Sequence, residues 1–153
     1  MKLNDTGREV YRALRESQSK YSYFLLAASG AAIGFAVSQT GAAVLAWSQS
    51  PLGLAVVAWG HSFFCGCRHL QYVSSNLYAN LELFRVQAGE HSMLGEHPEK
   101  IEAGSVGIRL AMESNSERGS VFARWQFRFL VSGAILYLVW HVTGMYLRSH
   151  GGS

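Results

Sequence analysis

The feature that most constrains this chain is a run from residue 21 to residue 67 that contains no Lys, Arg, Asp or Glu. A second uncharged run covers residues 129–147. A helix needs about 20 predominantly apolar residues to cross the roughly 30 Å hydrocarbon core of a bilayer. The second run therefore predicts one transmembrane helix, and the first is long enough to require two helices that turn back on each other.

Two segments compete for the turn between the first two spans. One is centred on Gly41, and the other runs from Trp47 to Pro51. The second is favoured because Ser50 can cap a helix whose first residue is Pro51, which has no N–H to leave unpaired. The three spans are then expected at residues 22–46, 52–68 and 128–147. A turn at Gly41 would shorten the first of them.

The composition agrees with a membrane protein organised as one domain. Only 15% of the 153 residues are charged, against roughly 25% in soluble domains. Two cysteines are too few for a disulfide scaffold, and a hydrophobic content of 49% excludes a disordered chain. The net charge of +3 is explained by basic residues that flank membrane spans, so no nucleic-acid partner is expected.

The basic residues near the ends of the spans predict the orientation of the chain. Five precede the first span, namely Lys2, Arg8, Arg12, Arg15 and Lys20, whereas Arg148 is the one that follows the third. Arg68 and the pair Arg124 and Arg128 border the segment between spans two and three. By the positive-inside rule, the N-terminus and residues 69–127 are expected in the cytoplasm of a bacterium and the tail, 148–153, outside its inner membrane. Residues 151–153 have the composition of an artificial linker.

The segments outside the spans also have helical spacing. Residues 1–21 predict an amphipathic helix that leads into span one. Beyond span two, apolar residues recur every three or four positions, which predicts that this span continues as one helix to Gly89 and packs in a cytoplasmic bundle through Leu70, Val73, Leu77, Leu81 and Phe84. Pro98 predicts the start of a short helix weakened by Gly104 and Gly107, and Ser116 with Glu117 predicts a new helix leading to span three. The expected fold is all-α: three transmembrane helices extended into a small cytoplasmic helical bundle.

Small residues on span one predict a helix contact. Ala27, Gly30, Ala31 and Gly34 have the small-xxx-small spacing that lets another helix approach closely. The partner is either span two or three of the same chain or a second copy of the chain. The second alternative predicts a homo-oligomer.

Two intramembrane histidines, His61 and His141, are candidate ligands for a cofactor. Neutral imidazoles on facing helices can hold a haem iron, which would make the chain a redox subunit. The alternative is that each histidine forms a hydrogen bond within the membrane, and no cofactor is then expected.

The remaining chemistry-bearing residues form weaker patterns. His61, Cys65 and His69 share one helix face, but a closed zinc site lacks a fourth ligand, and no metal is expected. The tripeptide at 89–91 recurs at 95–97 and is interpreted as a solvated loop. Arg85 and His91 have the spacing used by helical ribonuclease domains. No P-loop, zinc-protease or nucleophile-elbow motif is present.

These observations favour a protein that is not an enzyme. The leading hypothesis is a homo-oligomer that acts as a pore or membrane-disrupting effector, or as an anchor for a cytoplasmic protein partner. Ser38, Gln39, Thr40, Ser48 and Gln49 would line the pore. A haem-binding redox subunit and a membrane-tethered ribonuclease are the alternatives.

Overall fold

The computed structural model describes residues 2–40, 49–89 and 97–150, which form three long α-helices and, within these ranges, no strand. The helices are α1 (Lys2–Thr40), α2 (Ser50–Gln87) and α3 (Pro98–His150). All three are long and apolar enough, by length and composition, to cross a membrane. The all-α prediction is therefore confirmed for the described residues, and the helices are consistent with a location in a membrane.

Three of the helix ends that the sequence marks are ends that form. Helix α2 begins at Ser50 with Pro51 in its first turn, where a missing N–H has no consequence. It ends at Gln87, and Gly89 follows with φ of 73°, a left-handed conformation that favours glycine. Helix α3 begins at Pro98, and the carbonyl of His97 accepts the N–H groups of Lys100 and Ile101.

Several predictions lie outside the described residues. The last part of the 22–46 span lies there, and so do both candidate positions for the turn, Gly41 and the segment that starts at Trp47 and Ser48. Most of the two repeated tripeptides, 89–91 and 95–97, and residues 151–153 lie there too. Within the described part, α1 runs without a break from the amphipathic segment into the first span, as the spacing predicts.

The prediction of two separate helices between Pro98 and span three is wrong. One helix, α3, continues from Pro98 to His150 through Gly104, Gly107 and Ser116. A glycine inside a helix costs only about 1 kcal/mol, which packing against another helix offsets. Ser116 is exposed, so a residue of the capping type does not have to end a helix there.

The chain divides into two compact units, and α2 and α3 contribute residues to both. The first unit comprises Met1–Gly66 and Trp125–Ser153. Its core is a cluster of buried side chains from α1 and α2, with partly buried side chains of α3 packed against it. The buried members are Ala36, Leu52, Ala55 and Trp59, and Leu130, Leu136, Tyr137 and Trp140 are among the partly buried ones.

The second unit, Cys67–Arg124, consists of the remaining parts of α2 and α3. His69 Nδ1 lies 2.9 Å from the carbonyl oxygen of Gly119. The rings of Tyr72 and Phe122 stack with centroids 5.7 Å apart. A built Cβ on Gly119 would lie 3.3 Å from Tyr72 Cβ, so the glycine permits the close approach of the two helices at this point.

Two arginines near the predicted membrane boundaries lie over aromatic rings. In the second unit, the Arg68 guanidinium is 5.4 Å from the ring centroid of Tyr72 and 5.8 Å from that of Phe122. In the first unit, the Arg128 guanidinium is 5.3 Å from the ring centroid of Trp125. Such contacts hold long cationic side chains in place, and Arg with Trp or Tyr is the pairing expected at a membrane interface.

Candidate oligomerisation site

Helix α1 presents two faces of different character in the first unit. The inner face is formed by buried residues at intervals of three, four and seven: Ser22, Leu25, Ser29 and Ala36. The other face carries Ala27, Gly30, Ala31 and Gly34, all of them exposed, and this set is called here the α1 small patch. Tyr23 and Val37 lie on the same side of the helix, just beyond the two ends of the patch.

The α1 small patch has room for another helix. A Cβ built on Gly30 or on Gly34 has no atom of the chain within 4 Å. A glycine that permits close packing inside the chain has a different environment. At Gly133, for example, a built Cβ would lie 2.5 Å from Trp59 Nε1. The structure therefore shows that the patch is not used for packing within the described part of the chain.

The inner face of α1 is held by a buried polar contact between all three helices. The Ser62 hydroxyl donates to the main-chain carbonyl of Gln126, 2.8 Å away. The hydroxyl oxygens of Ser62 and Ser29 lie 3.0 Å apart. Ser29 also lies 2.9 Å from the carbonyl of Leu25. In a medium without water such bonds between helices fix which faces meet.

A second contact joins α2 and α3 beside the polar one. Trp59 is buried, and its Nε1–H donates to the carbonyl of Leu130 at 3.2 Å. The indole lies directly against Gly133, where no side chain could fit. The Tyr137 ring packs near it, with a centroid distance of 6.0 Å.

The side chain of Gln126 completes this layer. It is 1% exposed, and its Nε2 has no hydrogen-bond partner among the described residues. It lies over Gly66, where a built Cβ would be 2.5 Å from Gln126 Nε2 and 2.5 Å from Leu26 Cδ1. The glycine thus makes space for an amide and a leucine from the two other helices.

The sequence interpretation missed this layer of Ser29, Ser62 and Gln126, and it also missed Trp59 with Gly133. The signal in the sequence was the occurrence of single polar residues and single glycines among large apolar residues in the predicted spans. Such residues in a membrane helix are typical of contacts between helices. Their pairing depends on the relative register of the helices, which spacing along one helix does not report.

The two predicted cofactor ligands are not brought together. The His61 ring packs against Phe129, with centroids 5.5 Å apart, and the His141 ring stacks on Tyr137 at 6.2 Å. Phe129 precedes His141 by twelve residues of α3, which is about 18 Å along the helix axis. One iron therefore has no pair of axial ligands from these two histidines of a single chain.

The tautomer of His61 follows from its contact. His61 is exposed, and its Nδ1 lies 2.9 Å from the carbonyl of Val57 one turn earlier. Because a carbonyl only accepts, this contact requires the proton on Nδ1.

The other chemistry-bearing residues show no assembled site. Within the described ranges, no group of three or more His, Cys, Asp or Glu side chains is arranged to hold a metal ion. Both cysteines are free thiols, with Cys65 buried and Cys67 half-buried. Arg85 is exposed and lies 3.4 Å from the carboxylate of Glu82, whereas its proposed partner His91 lies outside the described residues.

The residues predicted to pack in the cytoplasmic bundle lie on the outside of the second unit. Leu70 is half-buried, whereas Val73, Leu77, Leu81 and Phe84 are exposed. The side chains of α2 that are more buried lie on another face, and Val86 is 1% exposed. These five residues, Leu70, Val73, Leu77, Leu81 and Phe84, are called here the α2 stripe.

The chain matches no protein-family model, and no curated protein and no solved structure shows significant similarity to it.

Proposed function

We propose that this protein is a homo-oligomer embedded in the membrane that anchors a cytoplasmic protein partner. The observation that carries the proposal is the empty space at Gly30 and Gly34, on the face of α1 that its own bundle leaves free. In lipid, helices associate through small residues that let their backbones approach. The α1 small patch is therefore the surface through which one copy of the chain contacts another.

The distribution of polar side chains supports an anchor rather than a pore. Ser29, Ser62 and Gln126 are buried inside the first unit, where they join the helices of one protomer. Exposed hydroxyl residues of α3, such as Ser132 and Thr143, are separated by the exposed apolar residues Ile135 and Val139. A water-filled path between protomers needs a continuous polar lining, and Ser38 and Gln39 at the end of α1 supply only a short part of one.

The orientation belongs to the same proposal. The basic residues at the N-terminus and around residues 68 and 124–128 favour a cytoplasmic location for the N-terminus and the segment between spans two and three. In this orientation, a cytoplasmic partner can reach the second unit and the N-terminal segment.

The test is self-association of two differently tagged copies in one membrane, measured by co-purification after mild solubilisation. The double variant Gly30→Leu/Gly34→Leu should lose most of the co-purified copy, because the leucines fill the space that a neighbouring helix requires. Gly144→Leu is the matched control, since a Cβ at Gly144 also has no atom within 4 Å but lies on α3. Equal co-purification by the double variant and the unaltered chain would reject the α1 small patch as the contact.

A separate measurement of ion leakage distinguishes the anchor from a pore. Liposomes that contain the protein should keep an imposed ion gradient if the protein is an anchor. Rapid loss of the gradient that depends on the α1 small patch would favour the pore instead.

A further inference from the structure

The second unit contains an apolar surface that its own two helices do not cover. The exposed fractions of the α2 stripe rise from 37% at Val73 and 46% at Leu77 to 50% at Leu81 and 63% at Phe84. Large apolar side chains that are contiguous and exposed mark a contact surface. The stripe lies in a segment that contains the charged residues Arg68, Glu82 and Arg85, so a lipid environment does not account for it.

The interior of the same unit contains polar groups that lack partners. Asn76 Oδ1 and Ser105 Oγ are buried without a hydrogen-bond partner among the described residues. At an exposed position of the same unit, Asn115 Nδ2 donates to Ser75 Oγ at 3.3 Å. A pair of helices that places polar groups inside while it exposes Leu77, Leu81 and Phe84 leaves apolar surface for a further contact.

The spacing of the stripe is that of a helix seam. Leu70, Val73, Leu77 and Phe84 follow the alternating three- and four-residue steps of the a and d positions in a heptad, and Asn80 takes the remaining step. A polar residue at one seam position costs stability and fixes the register between two helices. Asn80 opposite Asn80 is satisfied only when two such helices pair in parallel and in register.

The size of the stripe favours one kind of occupant. From residue 70 to residue 84 it is about 21 Å long and about 10 Å wide, a projected area of roughly 200 Å², which is well below the roughly 800 Å² per partner that a stable contact between free proteins requires. A second copy of this chain does not need that area. It is held in the same bilayer in the same orientation, so its effective concentration is high and its α2 is already parallel.

We infer that the α2 stripe is a homotypic contact, in which α2 of one protomer pairs in parallel with α2 of a second copy around a two-fold axis along the membrane normal. The inference rests on the proposed homo-oligomer and adds a second interface to it, separate from the α1 small patch. In the pair, each residue of the stripe lies opposite its own counterpart.

Site-directed disulfide formation in isolated membranes tests the contact. In a chain that carries Cys65→Ala and Cys67→Ser, the variant Leu77→Cys should form disulfide-linked dimers on mild oxidation. Tyr78→Cys is the matched control, because Tyr78 is more exposed, at 73%, but lies about 100° further around the helix. Dimers should form roughly tenfold faster at position 77, since a disulfide needs Cα atoms within about 7 Å. Equal rates at positions 77 and 78 would mean random collision and would overturn the inference.

Ala31→Cys in the α1 small patch separates this inference from the proposed function. Disulfide formation at position 31 without any at position 77 overturns the α2 contact and leaves the homo-oligomer standing. Disulfide formation at position 77 alone supports the α2 contact and rejects the α1 small patch. The absence of dimers at both positions rejects both.

A second variant distinguishes loss of the α2 contact from misfolding of the protein. Leu77→Glu in the Val73→Cys background should abolish the dimer at position 73, because it places two carboxylates opposite each other in the seam. The same substitution in the Ala31→Cys background should leave the dimer at position 31 unchanged, which shows that the protein is inserted and folded. Dimers at position 73 that persist when Leu77→Glu is present would overturn the α2 contact.

Discussion

At the residue scale, the structure separates glycines that the sequence presents as equivalent. Gly133 lies against the indole of Trp59, whereas Gly30, Gly34 and Gly144 have open space where a Cβ would be. The first kind permits packing inside the chain, and the second kind leaves room for another molecule or for lipid. The same substitution should therefore have opposite effects at the two kinds of position.

Gly133→Ala should destabilise the protein by about 1–3 kcal/mol, the usual cost of overpacking a filled interior. The added methyl group would lie 2.5 Å from Trp59 Nε1, and a buried indole cannot move away easily. Unfolding in micelles, followed by circular dichroism during titration with a denaturing detergent, measures the change. Gly144→Ala, the control, should be neutral or stabilising by up to about 1 kcal/mol, because alanine is the better helix former. Equal stability of the two variants would contradict the packing of Trp59 on Gly133.

Ser62→Ala should cost about 1 kcal/mol, the size of a hydrogen bond between membrane helices. It removes the hydroxyl that donates to the Gln126 carbonyl and that lies 3.0 Å from the Ser29 hydroxyl oxygen. The same detergent titration measures it, and Ser132→Ala, at an exposed position of α3, should change the midpoint little. A loss no larger for Ser62→Ala than for Ser132→Ala would mean that the polar layer does not hold the three helices.

At the element scale, the local sequence predicted where helices begin and end when the signal was steric. Ser50 with Pro51, Gly89 and Pro98 mark the ends that the structure shows. Ser116 does not mark a helix end. A capping side chain can accept a hydrogen bond at the start of a helix but does not force a helix to start there, and the backbone of α3 satisfies its own hydrogen bonds by continuing.

Glu117→Pro tests the continuity of α3. In a helix that began after Ser116, residue 117 would be a first helical position that accepts proline. In the interior of a continuous helix, proline removes a hydrogen bond and clashes with the preceding turn, at a cost of about 3 kcal/mol. We expect a lower unfolding midpoint and less helix by circular dichroism, with little change for Glu117→Ala because the side chain is exposed. Full stability of Glu117→Pro would restore the interpretation of two helices.

Sequence periodicity identified the faces of the helices but not what each face contacts. It singled out Gly30 with Gly34 and Leu77 with Leu81, and it left open whether the first pair serves the same chain or another. In the described residues, Ser29 and Ala36 form the inner face of α1, and Gly30 and Gly34 lie outside it. His61 and His141 show the same limit, since the distance between residues on two helices depends on their register.

At the scale of the whole molecule, the two uncharged runs are stronger evidence for a membrane protein than any single residue. Three helices of this length and composition are consistent with a membrane location. The faces they leave unpacked, the α1 small patch and the α2 stripe, belong to different units of the chain. A protomer with two such faces is suited to assembly with its own copies.

The proposed orientation predicts the behaviour of fusions at the C-terminal end of α3. Alkaline phosphatase fused after residue 150 should be active and green fluorescent protein should be dark, because the proposed orientation has this end outside the cytoplasm. Fusions in the segment after Gln87 should give the reverse pattern. Fluorescence at the C-terminal end would contradict the orientation and, with it, the cytoplasmic location of the second unit.

The measurement that tests the central claim most directly is native mass spectrometry of the protein released from a mild detergent. The account predicts an assembly of two or more protomers whose mass is that of the 16.8 kDa chains, and the Gly30→Leu/Gly34→Leu variant should shift this assembly towards the single chain. A single chain at every concentration, with the same spectrum for the variant, would contradict the account.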